Sequence, residues 1–402
     1  MGGNSVKSKH SISMLLGAAF LMITSAIGPA FLTQTAAFTE QYGASFSFII
    51  LLTIIVDIFA QLNVWRIIVV TGKRGQDVAN EVVSGLGYFI SFLVFVGGLA
   101  FNIGNIAGTG MAFNVLFGVD VKVGAVISAA ICIAIFLIKE FGNAMDKFAQ
   151  ILGVLMLVLT FCVMVAAHPP VGEAMIRTVM PKKFDFLPFT TIIGGTVGGY
   201  ITFSGAHRLL DGGMSGVKDV SETSNTSVFG VVVTGIMRYM LFLAVLGVVS
   251  RGIKLDPANP AVTPFLAVAG KVGYKLFGLV LWSAALSSVV GCAFTSVSFI
   301  RTYFKPIDDH FPKVVIGFIV FCTLFFILLG RPVTLLILAG ALNGLILPFT
   351  LGAILIASRN KKIVGEDYHH PTWLVVGGII VVIITAYSGI KSLGGMAALW
   401  RG

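Results

Sequence analysis

The residues of this chain that could do chemistry are few, and most stand inside apolar runs. Asp57 and Arg238 are lone charges in such runs, and a charge at membrane depth is a functional hypothesis by default. Asp57 can sit shallow, however, and Arg238 can snorkel its guanidinium to an interface, so neither is placed in the expected site. Asn102 and Asn105 lie three apart on one helical face, where they could hydrogen-bond a substrate or serve as interhelical glue. His207 and Arg208 read as an interfacial helix end in preference to a proton relay, with Asp211 able to pair with Arg208. The four cysteines (132, 162, 292 and 322) show no CxxC or Cys/His spacing and are expected to pack. An embedded enzyme would need an acid/base or metal constellation such as HExxH or a Ser/His pair. None occurs, and no phosphate-binding P-loop is present to use ATP directly.

The element that must position any site is Ile192 to Gly213, IIGGTVGGYITFSGAHRLLDGG. Glycines at 194, 195, 198 and 199 each cost about 1 kcal/mol relative to Ala in a helix interior, so the helix should break there. In a bilayer a break is tolerated where the freed backbone groups line a cavity or meet a ligand. The other reading is a close helix crossing built on small residues. A matching break lies five spans earlier: Ser25-Ala-Ile-Gly-Pro-Ala-Phe31 puts Pro29 mid-span, where it removes a hydrogen bond and clashes with the preceding turn. Two broken helices five apart are the pattern of a five-plus-five inverted repeat, in which half-helix ends face one substrate.

Composition fixes the class. With 57% hydrophobic residues, 11% charged and mean hydropathy +0.98, this is an all-α polytopic membrane protein, since a soluble domain would carry about 25% charge. Apolar runs near the roughly 20 residues that cross hydrocarbon fall at about 12–36, 44–66, 87–117, 122–139, 147–167, 188–210, 228–250, 274–300, 314–330, 332–357 and 372–390, eleven in all. They form one domain: repeat one at about 12–167, repeat two at about 188–357, and an extra span at about 372–390. The polar tail Met1–His10 carries no cleavage site after it, so the first span is read as retained. With the N-terminus inside, alternating loops place 15 Lys/Arg inside and 11 outside, which favours a cytoplasmic N-terminus. The net charge of +10 is thereby read as topology, and no nucleic-acid partner is expected.

Several motifs give the chain a family resemblance. Gly28-Pro29-Ala30-Phe31 followed by Gln41-Tyr42-Gly43 resembles the Asp-Pro-Gly-Asn break and Gln-Phe-Gly-like run of the Nramp (natural resistance-associated macrophage protein) family. Asn102-Ile-Gly-Asn105, continuing to Asn114-Val-Leu-Phe-Gly118, is similar to that family's third-span Asp-Ile-Ala-Glu run and its Asn-Leu-Leu-Phe-Gly end. Gly195-Thr196-Val197-Gly198-Gly199-Tyr200 stands where the family has Ala-Thr-Val-Met-Pro-His, and Leu347-Pro348-Phe349 matches a further signature. The resemblance covers about 15–357 and implies a LeuT-type fold with discontinuous helices 1 and 6.

The departures shape the functional expectation. Where metal-carrying members hold a divalent ion this chain has Gly28, Phe31, Gly198 and Ile346, and at their proton-route positions it has Asn102, Asn105 and Tyr200. Transition metals want imidazole, carboxylate or soft sulfur, and Mg²⁺ generally leans on carboxylates; this lining offers neither. The expected substrate site is Gly28, Pro29, Ala30, Phe31, Asn102, Asn105, Gly195, Thr196, Gly198, Gly199 and Tyr200, with no metal ligand and no cofactor. Helix N-termini attract anions, so the expected function is secondary-active transport of a small organic acid or amino-acid-like solute, its apolar part against Phe31 and Tyr200. The resemblance makes 5-oxoproline a candidate, because the branch this chain looks closest to tends to accompany 5-oxoproline breakdown genes. The alternative is a divalent-metal (Mg²⁺/Mn²⁺) carrier using backbone groups. The coupling ion is left open between H⁺ and Na⁺; the Ser287-Ser288 and Thr295-Ser296 pairs are similar to the hydroxyl-rich sodium site of other carriers with this fold. The expected setting is the plasma membrane, with the bilayer and a small molecule as partners, compatible with a monomer.

Overall fold

A computed structural model describes residues 12–301 and 303–401, so the tail Met1–His10 lies outside the described residues. Helices α1 (Ile12–Ala26) and α2 (Pro29–Tyr42) are halves of the first expected span; α3 (Phe46–Thr71) is the second. A short α4 (Gly75–Val82) leads into α5 (Leu86–Phe117), followed by α6 (Val121–Leu137), α7 (Lys139–Ala166) and α8 (Val171–Val179). The second broken pair is α9 (Phe186–Thr196) and α10 (Ile201–Asp211). Then come α11 (Val220–Val249), α12 (Thr263–Arg301), α13 (Lys305–Asp309), α14 (Phe311–Leu329), α15 (Pro332–Gly344), α16 (Leu347–Arg359), α17 (Lys361–Val364) and α18 (Thr372–Arg401). By length and apolarity eight segments among the described residues qualify as membrane crossings, nine with the bent α7–α8 pair, so the expected eleven is not reached on that measure. The helices α1 and α6, at 15 and 17 residues, fall short of the roughly 20 that hydrocarbon requires.

Local chemistry explains the boundaries. Asp120 caps α6 by accepting from Lys122 N (2.9 Å) and Val123 N (3.3 Å), and Asp185 caps α9 through Leu187 N at 3.2 Å, each satisfying an orphan N–H of a first turn. Two elements differ from expectation. The run 332–357 is not one helix but breaks at Leu345 and Ile346, because Pro348 lacks the N–H that a continuous helix needs. The connection after residue 167 holds α8, bent 108° from α7. Its Ala174 carbonyl accepts from Ser47 Oγ of α3 at 3.0 Å, which pins α8 to the bundle.

The loop before α18 is held by a polar relay. His370 Nε2 lies 2.8 Å from Asn63 Oδ1 of α3, and His370 Nδ1 lies 2.8 Å from the Tyr368 hydroxyl. Asn63 Nδ2 is committed to the carbonyls of Phe59 and Leu374, so Nε2 donates to Oδ1; in the neutral imidazole that burial favours, Nδ1 accepts from the Tyr368 hydroxyl. Burial, helped by the nearby Arg66 and Arg359 charges, pulls the His370 pKa down to about 4 from 6.5. The folded value lies below the unfolded one, so the stability it contributes is complete above pH 6.5 and is lost as pH falls toward 4. The protection of amides 366–370 against exchange, relative to their intrinsic rates at each pH, is therefore expected to fall between pH 6.5 and 4 in wild type and to lose that dependence in His370→Gln. Equal pH dependence in both proteins would remove the histidine from the loop's stability.

Candidate functional site

The first break is made by Gly28 and Pro29. Gly28 N returns to Ala26 O at 3.1 Å, its backbone is extended (φ −111°, ψ −170°), and Pro29 opens α2 without a donor. The N–H groups of Ala30 and Phe31 then lack intrahelical acceptors and form a positive helix end. Pro29 lies on Gly108 of α5, where an added Cβ would come within 2.2 Å of the proline ring. A Cβ on Gly28 would sit 3.0 Å from Ser288 Oγ of α12 and 3.7 Å from Asn105 Oδ1 of α5. The break, α5 and α12 thus converge.

The second break is tight. Val197 N and Gly198 N both bond Ile193 O, at 2.8 and 3.0 Å, closing α9. Gly199 then takes φ +58°, the left-handed region glycine accepts without cost, and Tyr200 leads into α10. Thr202 Oγ1 donates to Val197 O across the break. The neighbouring glycines face protein: a Cβ on Gly194 would lie 1.8 Å from Gly340 O, one on Gly198 2.5 Å from Asn343 O, one on Gly199 1.8 Å from Asn343 Oδ1, and one on Gly195 2.7 Å from Gln34 Oε1. The close crossing with α15 and α2 therefore occupies these positions, the second of the two readings that the sequence leaves open.

A buried polar cluster surrounds both breaks. Asn102, Asn105, Tyr200 and Asn343 are at most 1% exposed. Both side-chain polar atoms of Asn102 and of Asn105, the Tyr200 hydroxyl and Asn343 Oδ1 have no hydrogen-bond partner. Each such buried group costs about 1–3 kcal/mol, which marks the cluster as built for something other than stability. Tyr200 meets Phe101 edge-on at 5.7 Å, and Asn105 and Cys292 neighbour its hydroxyl. Asn343 Nδ2 donates to Gly97 O and Ala339 O, both at 2.9 Å, tying α15 to α5 beside Gly199. Sequence reasoning missed Asn343; a lone amide before glycine in an apolar helix is the signal that could have found it.

Phe31 and Thr196 belong to a second cluster. Phe31 is fully buried, and the Arg238 guanidinium carbon stands 4.1 Å from its ring centroid. Arg238 and Asp57 are each 2% exposed, so both are enclosed by protein and the Arg238 guanidinium does not snorkel out to solvent. The reason is packing: α11 and α3 lie against each other within the bundle, and the pair faces inward. Together with Thr53, Thr196 and Thr234 they line a cavity of about 10 Å³. A second cavity, of about 230 Å³, runs beside the first break, lined by Ile23, Ile27, Leu32, Met156, Met237 and Val280 with the hydroxyls of Thr24, Ser283 and Ser287. It holds no charged group.

Other expected roles resolve simply. Buried His207 accepts from Gly75 N at 3.1 Å and stacks on Phe203, which makes it a joint between α10 and α4. Asp211 pairs with Arg74 at 2.7 Å, not with Arg208, which points to the exposed side. Ser288 lies at the first break, but Ser287 Oγ bonds Ala284 O of its own helix at 3.0 Å. Cys132, Cys292 and Cys322 are buried, whereas Cys162 is exposed. Among the described residues no group of three His, Cys, Asp or Glu could hold a metal ion.

Comparison with known proteins agrees with this architecture. A family model described as "Natural resistance-associated macrophage protein-like" matches residues 19–393. The chain is 55% identical over 387 residues to an uncharacterized membrane protein, YcsG, of Bacillus subtilis, covering 96% of each. Among solved structures it resembles an Eremococcus coleocola manganese transporter in complex with an aromatic bis-isothiourea substituted compound, with TM-score 0.78, 13% identity, and coverage of 99% of this chain and 91% of that one. It also resembles MhsT in complex with L-phenylalanine, with TM-score 0.65, 15% identity, and coverage of 96% and 98%.

Proposed function

The chain belongs to the natural resistance-associated macrophage protein (Nramp) family, and on that premise we propose that it is a secondary-active carrier of a small organic acid or amino-acid-like solute, moved by alternating access. Its family and its LeuT-type fold are those of transporters, and it is an integral multi-pass membrane protein. The observation that carries the substrate class is the donor set at the breaks. Asn102, Asn105, Tyr200 and Asn343 offer amides and a phenol with unmade hydrogen bonds, which suit a neutral or anionic organic group and lack the carboxylates on which Mg²⁺ and Mn²⁺ generally lean. Positive helix ends at Ala30 and Phe31 favour a carboxylate, and the apolar cavity of about 230 Å³ beside them has room for a small hydrocarbon body. We take 5-oxoproline as the named candidate, H⁺ or Na⁺ as the coupling ion, and the plasma membrane, with the N-terminus cytoplasmic, as the setting. The two repeats, about 12–167 and 188–357, are the proposed units of motion, with 372–390 outside them.

The likeness to a manganese transporter favours a second reading, in which hydrated Mg²⁺ or Mn²⁺ is held by backbone carbonyls and amides. Uptake into proteoliposomes separates the two. The organic-acid reading expects labelled 5-oxoproline or another small carboxylate to accumulate and to be competed by its unlabelled form, with Mn²⁺ and Mg²⁺ without effect. Accumulation of Mn²⁺ or Mg²⁺ with no response to carboxylates would replace it with the metal reading.

A further inference from the structure

We propose that Arg238 and Asp57 form a two-point receptor for the head of the carried molecule, the guanidinium taking a carboxylate and the aspartate taking an N–H on the neighbouring carbon. This rests on the organic-acid reading and narrows it to amino acids, cyclic imino acids and lactam acids. Three observations carry it. First, the two charges are buried but do not satisfy each other: both guanidinium NH nitrogens and Asp57 Oδ1 have no hydrogen-bond partner, and no N–O contact within 4.0 Å joins the two side chains. A buried pair that contributes to the fold is held in direct contact with its remaining valences filled, because desolvation costs several kcal/mol per ion. Second, the walls supply acceptors only. Thr53, Thr196 and Thr234 spend their hydroxyl protons on Ile50 O (2.9 Å), Ile192 O (2.7 Å) and Gly230 O (2.9 Å) of their own helices. The guanidinium is therefore the free donor in the cavity, and the aspartate, with Gln61 beside it one turn along α3, the charged acceptor. A ligand that satisfies both presents a two-oxygen anion to one, the geometry an arginine fork prefers, and an N–H to the other.

Third, the pair sits on the machinery of both breaks. The guanidinium lies over Phe31 in the first turn of α2, and Thr196, the last residue of α9, shares its cavity. A head group held there would bridge α3 and α11 to both broken helices, so its arrival and departure would be felt by the segments that alternating access must move. The present cavity, about 10 Å³, has room for roughly one water-sized group, so the head enters with a displacement of one broken half. A zwitterion balances the pair, its carboxylate against Arg238 and its ammonium against Asp57; a lactam acid sets its carboxylate against Arg238 and a neutral N–H against Asp57, and its net negative charge is then matched by the cation that couples transport.

The test is calorimetric binding to the purified full chain. The probes are 5-oxoproline and L-proline, each with its ring-oxygen isostere, 5-oxotetrahydrofuran-2-carboxylate or tetrahydrofuran-2-carboxylate, and 2-pyrrolidinone, which lacks the carboxylate. For whichever acid binds, the isostere is expected to bind at least about tenfold more weakly, as loss of a hydrogen bond to a charged group implies, and 2-pyrrolidinone is expected not to saturate. Arg238→Gln should weaken the acid at least about 30-fold. Asp57→Asn, whose amide can both donate and accept, should bring the acid and its isostere to similar affinity. Because Arg238→Gln strands Asp57 without a countercharge, the double variant D57N/R238Q is measured beside it, and circular dichroism confirms that each variant is folded. If wild type binds an acid, while the folded double variant binds it within twofold of wild type or the isostere matches it in wild type, the pair is a water-bridged structural couple and the inference falls alone. A wild-type protein that binds none of these acids overturns the inference together with the organic-acid reading.

Discussion

Gly194→Ala is expected to abolish the correctly assembled protein. The added methyl would lie 1.8 Å from Gly340 O and 2.3 Å from Gly344 N, both backbone atoms of α15, so no side-chain rotation relieves the clash. The two helices would have to separate by more than an ångström along a crossing where Thr190 O and Thr191 O also press on Gly344 and Gly340. Overpacking by a single methyl in a pliable core costs about 1–3 kcal/mol; a backbone-to-backbone collision should exceed the upper figure. The control is Gly317→Ala on α14, where a Cβ meets nothing within 4 Å and alanine should improve helix propensity by about 1 kcal/mol. Size-exclusion profile and thermal midpoint in detergent are the readouts. A monodisperse Gly194→Ala protein melting with wild type would show that the α9–α15 crossing is looser than described. The same geometry bears on Gly198→Met, a substitution that would fill a cavity if Gly198 lined one. With Asn343 O at 2.5 Å from its Cβ position, that substitution should disturb assembly before it can report on a substrate.

Phe31→Ala should lose both stability and ligand affinity. The ring is fully buried, packs in the cluster with Met237 and Leu241 of α11 and Phe265 and Phe277 of α12, and carries the Arg238 guanidinium on its face. Truncating a buried phenylalanine costs about 3–5 kcal/mol, and a desolvated cation–π contact contributes up to about 2 kcal/mol. A ring that only contacted substrate would weaken binding and leave assembly intact; this packing predicts both effects. Phe31→Leu separates them, since a hydrophobic swap of similar volume costs under about 1.5 kcal/mol while removing the aromatic face from Arg238. The thermal midpoint should drop strongly in Phe31→Ala and little in Phe31→Leu, with affinity reduced in both. Unchanged affinity in Phe31→Leu would confine the ring to packing.

What sequence could and could not reveal follows from the range of each interaction. The breaks at Pro29 and at Gly198–Gly199 were legible because proline and glycine act through their own backbones, whatever surrounds them. The identities Gly28, Phe31, Gly198 and Ile346 at the matched motif positions are equally plain, since reading them needs only the residues themselves. The break before Leu347 is visible in Pro348, although an uninterrupted apolar run reads as one span with Leu347-Pro348-Phe349 as a motif inside it. Depth was not legible. Whether Arg238 snorkels or is sealed in depends on how α3, α2 and α9 pack around α11, and an apolar run reads the same in either case. The partner of Asp211 is Arg74, 137 residues away, not the adjacent Arg208, and chain proximity misled for the same reason. The glycine run allowed both a cavity and a crossing; only the position of α15, specified by contacts distant in sequence, chooses between them.

The measurement that bears most directly on the central claim is equilibrium binding of purified wild-type protein to Mn²⁺, Mg²⁺ and a panel of small carboxylates that includes 5-oxoproline. Saturable heat from a carboxylate, with none from either metal, is the predicted result, because the groups at the breaks are amides, a phenol and a free guanidinium. Saturable binding of Mn²⁺ or Mg²⁺ with no carboxylate response would contradict the account and assign the site to a divalent ion held by backbone oxygens.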